Sequence, residues 1–230
     1  MKLLSQQALP TPLPMEPLAV VEAWLAEATQ AKVQPNPNAM TLATATTDGK
    51  PSARIVLCKG LVKEPGYLVF VSNYLSRKGH ELALNPRAAA VMHWDDLHRQ
   101  VRLEGIIERA PASESDELHQ VRPWQSRLGA WASEQSQPVS GRAALLNQLQ
   151  AKARHFNTPP VGPDERPEDR DALVDIPRPP HWGAYRFYLD RVELWVEGEY
   201  RIHDRICYTR SLTTQPALTV GAWQWQSLQP

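Results

Sequence analysis

A mainly β fold with a few peripheral helices is what this sequence predicts, and three observations predict it. Short stretches rich in Val, Ile, Leu, Thr and Tyr recur along the chain, several alternating apolar with polar positions and bounded by turn residues. Few segments carry the three- and four-residue apolar spacing of an amphipathic helix. No glycine-rich loop joins a strand to a helix, which argues against a Rossmann dinucleotide site. Strands joined by hairpin logic, with helices at the periphery, indicate a β-barrel or sandwich.

The elements follow in order. Residues 1–16 hold three prolines and little periodicity, and read as an extended arm. From Glu16 to Lys32, Leu18, Val21, Trp24, Leu25 and Ala28 recur at helical spacing, and Pro35 and Pro37 end the helix. AMTLATAT (39–46) alternates, TDGK (47–50) supplies an Asp-Gly turn, and SARIVLCKGL (52–61) returns as the second arm of a hairpin. GYLVFVSN (66–73) is a third strand. SRKGHELALNP (76–86) is a short helix opened by Ser76 and closed at Asn85-Pro86. AAAVMHW (88–94) and QVRLEGIIERA (100–110) pair around the polar turn WDDLHR. Residues 113–121 and 140–156 read as helices, and RPWQSRLGAWASEQS (122–136), on its own, as a loop with a turn. Strands are expected at 182–197, 201–211 and 219–228. NTPPVGPDERPEDRDALVDIPRPPH (157–181) is rich in proline and charge and reads as a mobile loop, so 17–230 is expected to be a single domain.

Composition narrows the function. The 230 residues can bury a sizeable core, with 42% hydrophobic and 22% charged residues. Lys+Arg and Asp+Glu balance at 25 each, so no overall field favours nucleic acid or an anionic membrane, and any anion binding must be local. Cys58 and Cys207 show neither metal spacing nor a disulfide framework, which suits a reducing cytoplasm. No apolar run approaches the ~18 residues of a membrane span, and the N-terminus lacks the apolar stretch of a signal peptide. A cytoplasmic protein is the expectation. The histidines show no paired ligand spacing, so no metal is expected. The 8 tryptophans, four of them in the last quarter of the chain, read as core and interface packing.

Four segments can carry chemistry. In RIVLCK (54–59), strand geometry puts Arg54, Val56 and Cys58 on one face and Ile55, Leu57 and Lys59 on the other, so two cations bracket an apolar run. SRKGHE (76–81) opens a helix directly after a strand. Its backbone N–H groups with Arg77 and Lys78 form a phosphate cradle, although Ser-Arg-Lys is also a common surface string. RIHDR (201–205), read as strand, aligns Arg201, His203 and Arg205 on one face. That is either a solvated edge partnered by Asp204 and Glu199 or a site for an anionic ligand. In 122–136, Arg122, Ser126, Gln135 and Ser136 offer polar groups among small residues.

In this order and at these separations, the segments resemble the pyridoxamine 5'-phosphate oxidase family. The likeness runs from about Pro17 to the C-terminus and is densest at RIVLCK, SNYLSRKGHELALNPRAAAV, RQV, RPWQSRLGAWASEQS, VELW and RIHDR. It implies an FMN-binding split β-barrel that dimerises, with flavin sites built from both subunits. By position it implies FMN phosphate and ribityl contacts from Arg54, Arg77 and Lys78. It implies a flavin lining from Ile55, Val56, Leu57, Cys58 and Lys59 with Val71 and Ser72, and further contacts from Gln100, Gln135, Ser136, Trp195 and Arg205. Lys59, Arg122 and Ser126 would bind the substrate phosphate, and Arg201 and His203 would lie over the pyridine ring as the catalytic pair. The implied activity is oxidation of pyridoxamine or pyridoxine 5'-phosphate to pyridoxal 5'-phosphate, with O2 as acceptor and hydrogen peroxide as product.

The chain departs from the family pattern at several positions. Leu118 stands where a phosphate-binding tyrosine is usual, and one lost hydroxyl costs roughly 1–2 kcal/mol. Trp124 stands where a polar or basic residue is common, and Ser227 where an arginine is. The arm lacks a basic stretch, and the 157–181 segment is longer than usual. Leu118 and Trp124 point to a more apolar substrate, such as the reduced tricyclic carboxylic acid of the related phenazine-biosynthetic oxidases. A non-catalytic flavin-binding split barrel is a further alternative, set against Arg201 and His203, which a storage protein does not need.

Overall fold

The computed structural model describes residues 9–159 and 174–230. The described residues pack as two compact units: 9–70, 84–108 and 186–230 form one, and 71–83, 109–159 and 174–185 the other. The core of the 157–181 segment, residues 160–173, lies outside the described residues, as do residues 1–8 of the arm.

The first unit is built on strands β1 (Ala39–Ala45), β2 (Pro51–Val62), β4 (Arg87–Trp94), β5 (Arg99–Arg109) and β7 (Asp204–Thr209), with parts of β3 (Tyr67–Asn73) and β6 (Trp182–Val196). The sheet order β6-β3-β2-β1-β4-β5 is closed by an additional β5–β6 pairing, giving a six-stranded barrel. Outside the barrel, β7 adds to β6, and β10 (Gln224–Ser227) adds to β7. At the closure the backbones approach so tightly that a Cβ on Gly105 would meet the Tyr188 carbonyl oxygen at 1.9 Å, so only glycine fits there.

Alternation decides what fills this barrel. In β5, Val101, Leu103, Gly105 and Ile107 are buried while Arg102, Glu104 and Ile106 between them stay half-buried. Met40, Leu42, Phe70, Met92, Trp94, Phe187, Leu189 and Leu194 complete the core, and each such side chain contributes about 1.5–3 kcal/mol of burial. Helix α1 (Leu18–Ala31) buries Leu18, Val21, Trp24 and Ala28, the stripe its spacing predicts. It starts where the Glu16 carboxylate accepts the N–H groups of Leu18 (3.0 Å) and Ala19 (2.9 Å). The predicted Asp-Gly turn joins β1 to β2, with Gly49 at φ 86°. The described part of the arm is tied down by a hydrogen bond from the Tyr208 hydroxyl to the Pro14 carbonyl, 2.9 Å.

The second unit holds α2 (Arg77–Leu84), apart from its last residue, with α3 (Ala112–Gln120), α4 (Trp124–Ala132) and α5 (Arg142–His155). The 122–136 segment therefore holds a helix over Trp124–Ala132 where its polar composition indicated a loop with a turn. Pro123 precedes its first residue, and Trp124 and Leu128, one turn apart, bury against Ala153 and Ile176. Trp124 is 3% exposed in this small core, so its bulk anchors α4 and does not line an apolar substrate wall. A second correction concerns residues 201–211. Strand β7 begins at Asp204, and residues 199–201 form a 3-10 turn with Tyr200 and Arg201 at φ 56° and 66°. The expected strand alternation of Arg201, His203 and Arg205 on one face therefore fails for Arg201. The chain reverses at Tyr200 and Arg201, and Gly198, itself extended, permits the close return because a Cβ there would meet the Ile202 carbonyl oxygen at 1.7 Å. The expected 219–228 strand likewise divides, into β9 (Thr219–Val220), paired with β8 (Leu212–Thr213), and β10.

Candidate functional site

In the barrel unit, β2 presents the alternation read from RIVLCK. Ile55 is 63% exposed and Lys59 is exposed, whereas Arg54 and Val56 are half-buried and Cys58 is buried. Arg54 donates from Nη1 to the Thr44 hydroxyl and from Nη2 to that of Ser52, which fixes its guanidinium along the β1–β2 ladder. The β2–β3 register shifts between Cys58 and Gly60, a bulge that re-aims Lys59. Burial pushes the Cys58 thiol up to about 11, so this cysteine is no nucleophile.

On β6 and β7, Trp195 lies opposite Arg205, and its ring packs 4.7 Å from that of His203. The Gly198 N–H donates to His203 Nδ1 at 3.1 Å, which holds the imidazole with Nε2 as the nitrogen left to donate. Arg201 is exposed on the turn, between exposed Tyr200 and Ile202. Gln100 sits half-buried on β5 opposite His93. Arg205 has a partner the sequence reading missed. Its Nε and Nη2 donate to Glu193 Oε1 at 3.0 and 2.8 Å, and Arg102 Nη1 donates to Glu193 Oε2 at 3.2 Å. Glu193, 2% exposed, is thus a buried carboxylate shared by two arginines, and Asp204 and Glu199 are not the partners of Arg205. A signal was present in VELW, where a lone acid stands among apolar strand residues and burial requires it to be paired.

In the second unit, Ser72, Lys78 and Gln135 come together. Lys78 is 8% exposed and donates to Ser72 Oγ (3.1 Å), Ser76 Oγ (3.1 Å) and Gln135 Oε1 (3.0 Å). Ser76 also accepts the Gly79 N–H at 3.3 Å and so caps the start of α2. Gly79 is required, because a Cβ there would meet the Tyr74 carbonyl oxygen at 2.1 Å. A buried ammonium held by neutral oxygens at a helix start is chemically suited to a phosphate. Arg77 is exposed and donates to Glu81 at 2.9 Å, one turn along α2, so it does not join the Lys78 cluster. Val71 is half-buried, and Ser136 is exposed at φ 76°.

Arg122 and Ser126 flank the start of α4, both half-buried. The Arg122 guanidinium lies 4.7 Å over the Trp182 ring, and its Nη1 is buried without a hydrogen-bond partner. Burial first, and then the neighbouring Arg127, weaken its hold on its proton. His119 packs edge-on to the same ring at 5.3 Å. Burial, reinforced by the positive charges of Arg122, Arg127 and Arg178, lowers its imidazole to about 4. Neither His119 nor Arg127 stood out in the sequence, because what marks them is their convergence on Trp182 and Arg122.

A six-stranded split barrel carrying peripheral helices, with a cationic cradle at a helix start, defines a flavin-type oxidase scaffold. The chain belongs to the pyridoxamine 5'-phosphate oxidase family. Residues 25–153 match that family, and residues 182–230 match the pyridoxine 5'-phosphate oxidase C-terminal dimerisation region. A pyridoxine/pyridoxamine 5'-phosphate oxidase of Burkholderia orbicola is 47% identical over 206 residues, covering 90% of this chain and 87% of that one. One of Methylibium petroleiphilum is 43% identical over 215 residues, covering 94% and 89%. The crystal structure of PhzG from Burkholderia lata in complex with tetrahydrophenazine-1-carboxylic acid matches with a TM-score of 0.78. It is 28% identical and covers 96% of this chain and 95% of that one. The chain is therefore a flavin-dependent oxidoreductase with the expected fold. Among the described residues no helix is long and apolar enough to cross a membrane, and no group of metal-ligating side chains occurs.

Proposed function

We propose that this protein is an FMN-dependent oxidase of pyridoxamine or pyridoxine 5'-phosphate, acting as a homodimer with the flavin at the subunit interface. The observation that carries the substrate class is Arg122, a half-buried guanidinium with an unpartnered Nη1 beside Ser126 at the start of α4. That is a seat for an anionic group, and a 5'-phosphate has the charge and the oxygens to fill it. Lys59, re-aimed by its bulge, is assigned to the same group.

The residues present fit FMN. Lys78, Ser72 and Gln135 provide donors for a phosphate, with Arg54 and Arg77 assigned to the phosphate and ribityl chain. Ile55, Val56, Leu57, Val71, Gln100, Ser136, Trp195 and Arg205 are assigned to the flavin. Bound there, FMN supplies a two-electron acceptor that O2 reoxidises. The protein's part is positioning. Arg201 and His203 hold the pyridine ring, and His203, with Nδ1 occupied by the Gly198 N–H, presents its Nε2 proton as a donor.

A second reading is favoured by one observation, the likeness to PhzG, whose structure holds a tetrahydrophenazine carboxylic acid. A carboxylate can also occupy an arginine seat, and Leu118 withholds the hydroxyl that the family resemblance expects there. Mixing the flavin-loaded protein anaerobically with pyridoxine 5'-phosphate decides between them. Bleaching of the flavin absorbance supports the first reading. Bleaching by a reduced phenazine carboxylate and not by the pyridoxine ester overturns it.

A further inference from the structure

We propose that Arg127 is a second cationic arm of the Arg122 anion seat, and that the pair selects a doubly charged phosphate over a singly charged carboxylate. The inference rests on the oxidase reading above and names what decides substrate class within it. It begins with the groups around Trp182. Arg122 lies over the ring face, His119 meets the ring edge, and Arg178 donates to the Trp182 carbonyl at 2.8 Å. Arg127 stands on the first turn of α4, its backbone N–H bonded to the Pro123 carbonyl at 3.0 Å.

Among the described residues the charges there do not balance. Arg178 is neutralised by Asp116 at 2.6 Å. Among the described residues, no carboxylate lies within ion-pair distance of Arg122 or Arg127. Each also keeps a buried nitrogen without a hydrogen-bond partner, Nη1 in Arg122 and Nε in Arg127. His119, 2% exposed, adds a third such atom, Nε2. Two like charges at the start of α4, and three buried nitrogens without a hydrogen-bond partner, two of them on groups packed against Trp182, are unfavourable unless an anion meets them. One ligand relieves all of them: an anion with several acceptor oxygens, taking N–H groups from both guanidiniums and from the His119 imidazole. Burial first, and then the surrounding positive charges, lower His119 to about 4, so the ring enters the seat as a neutral donor and adds no third charge.

The charge of the ligand follows from the count of cations. A phosphate ester carries close to two negative charges near neutral pH, and a carboxylate one. With Arg122 alone, either is matched. With Arg127 added, the dianion gains a second charge-assisted contact, which also makes up for the hydroxyl missing at Leu118.

The test uses the flavin-loaded protein and calorimetric titration with inorganic phosphate and, separately, acetate. R127Q is expected to weaken phosphate about ten- to hundredfold while moving acetate by less than about threefold. It should raise KM for pyridoxine 5'-phosphate by a similar factor and leave kcat within about twofold, as loss of uniform binding does. R127K, which keeps the charge and loses the planar fork, should recover part of the affinity. Phosphate binding by R127Q at wild-type strength overturns the proposal, and so does a fall in kcat with KM unchanged. If R127Q does not fold, the wild-type protein decides: phosphate bound no more tightly at pH 8, where it is a dianion, than at pH 5.5, where it is mostly a monoanion, overturns the proposal. The two readings fail separately. A wild-type flavin not bleached by pyridoxine 5'-phosphate sinks the substrate assignment, while an Arg127-dependent phosphate affinity in the same protein upholds the seat.

Discussion

Lys78→Met is the most direct probe of the flavin assignment. Lys78 is nearly buried, and its ammonium donates to three neutral oxygens, those of Ser72, Ser76 and Gln135, at 3.0–3.1 Å. Methionine fills a similar volume, so the change removes charge and donors without opening a cavity. If the ammonium also holds the FMN phosphate, the loss is one charge-assisted hydrogen bond, about 1.5–3 kcal/mol, or roughly 10- to 150-fold in Kd. Riboflavin has the same ring and ribityl chain without the phosphate, so its affinity should move by less than about threefold. The assay is titration of flavin-stripped wild-type and variant protein with each flavin, followed by quenching of flavin fluorescence. The double difference between the two flavins isolates the phosphate. Equal weakening of FMN and riboflavin would show that Lys78 supports the fold of the cradle and not the phosphate. An unchanged FMN affinity would remove Lys78 from the site.

Glu193→Gln should destabilise the protein by about 1–3 kcal/mol, because it removes the counter-charge of Arg205, 23% exposed, while Arg102, 43% exposed, keeps Glu104; urea unfolding checks this, and a change below about 0.5 kcal/mol would refute the pairing. Cys58, with its thiol raised to about 11, should be about 0.1% thiolate at pH 8 and should react with iodoacetamide far more slowly than a free cysteine. Labelling of Cys58 at a free-thiol rate in the native protein contradicts that burial. His119 makes stability depend on pH with a defined sign. Its folded value of about 4 lies below the unfolded ~6.5, so the unfolded chain takes up the proton first as pH falls. About 3 kcal/mol of stability, complete above pH ~6.5, is lost as pH falls through the folded value. In His119→Phe, urea midpoints measured across that range should fall by correspondingly less, and identical acid profiles for the two proteins refute the assignment.

How much of this was legible in the sequence depends on how local the cause is. The barrel strands were readable because alternation in AMTLATA, RIVLC and QVRLEGII is a property of neighbours, and the Asp48-Gly49 turn fixes the first register. Arg54, Lys78 and Arg122 were readable as charged groups beside structural punctuation. The errors arose where distant chain decides. RIHDR is the local exception: it reads as an extended strand, but Tyr200 and Arg201 adopt positive φ and reverse the chain before Asp204, which no apolar periodicity announces. Helix α4 is hidden because its signal is two apolar residues one turn apart, Trp124 and Leu128, and their partners Ala153 and Ile176 lie far along the chain. Glu193 is visible in VELW, but its two arginines come from β5 and β7, and their pairing is a property of the folded sheet.

The same distinction bears on substrate choice. The two departures from the family pattern that bear on substrate apolarity, Leu118 and Trp124, are equal in the sequence and unequal in the structure. Trp124 faces the small core of α4 and α5, so its size stabilises a helix and carries no information about a ligand. Leu118 keeps its weight, because a hydroxyl is missing from α3 whatever else surrounds it. Against that loss stand Arg127 and His119, which bring a guanidinium and an imidazole to the neighbourhood of Arg122. One neutral hydrogen bond is worth about 0.5–1.5 kcal/mol, and one to a charged group about 1.5–3 kcal/mol. If Arg127 takes the place proposed for it beside Arg122, the charge-assisted contact it adds outweighs, on those magnitudes, the neutral one lost at Leu118, and the proposed seat matches a phosphate better than a carboxylate.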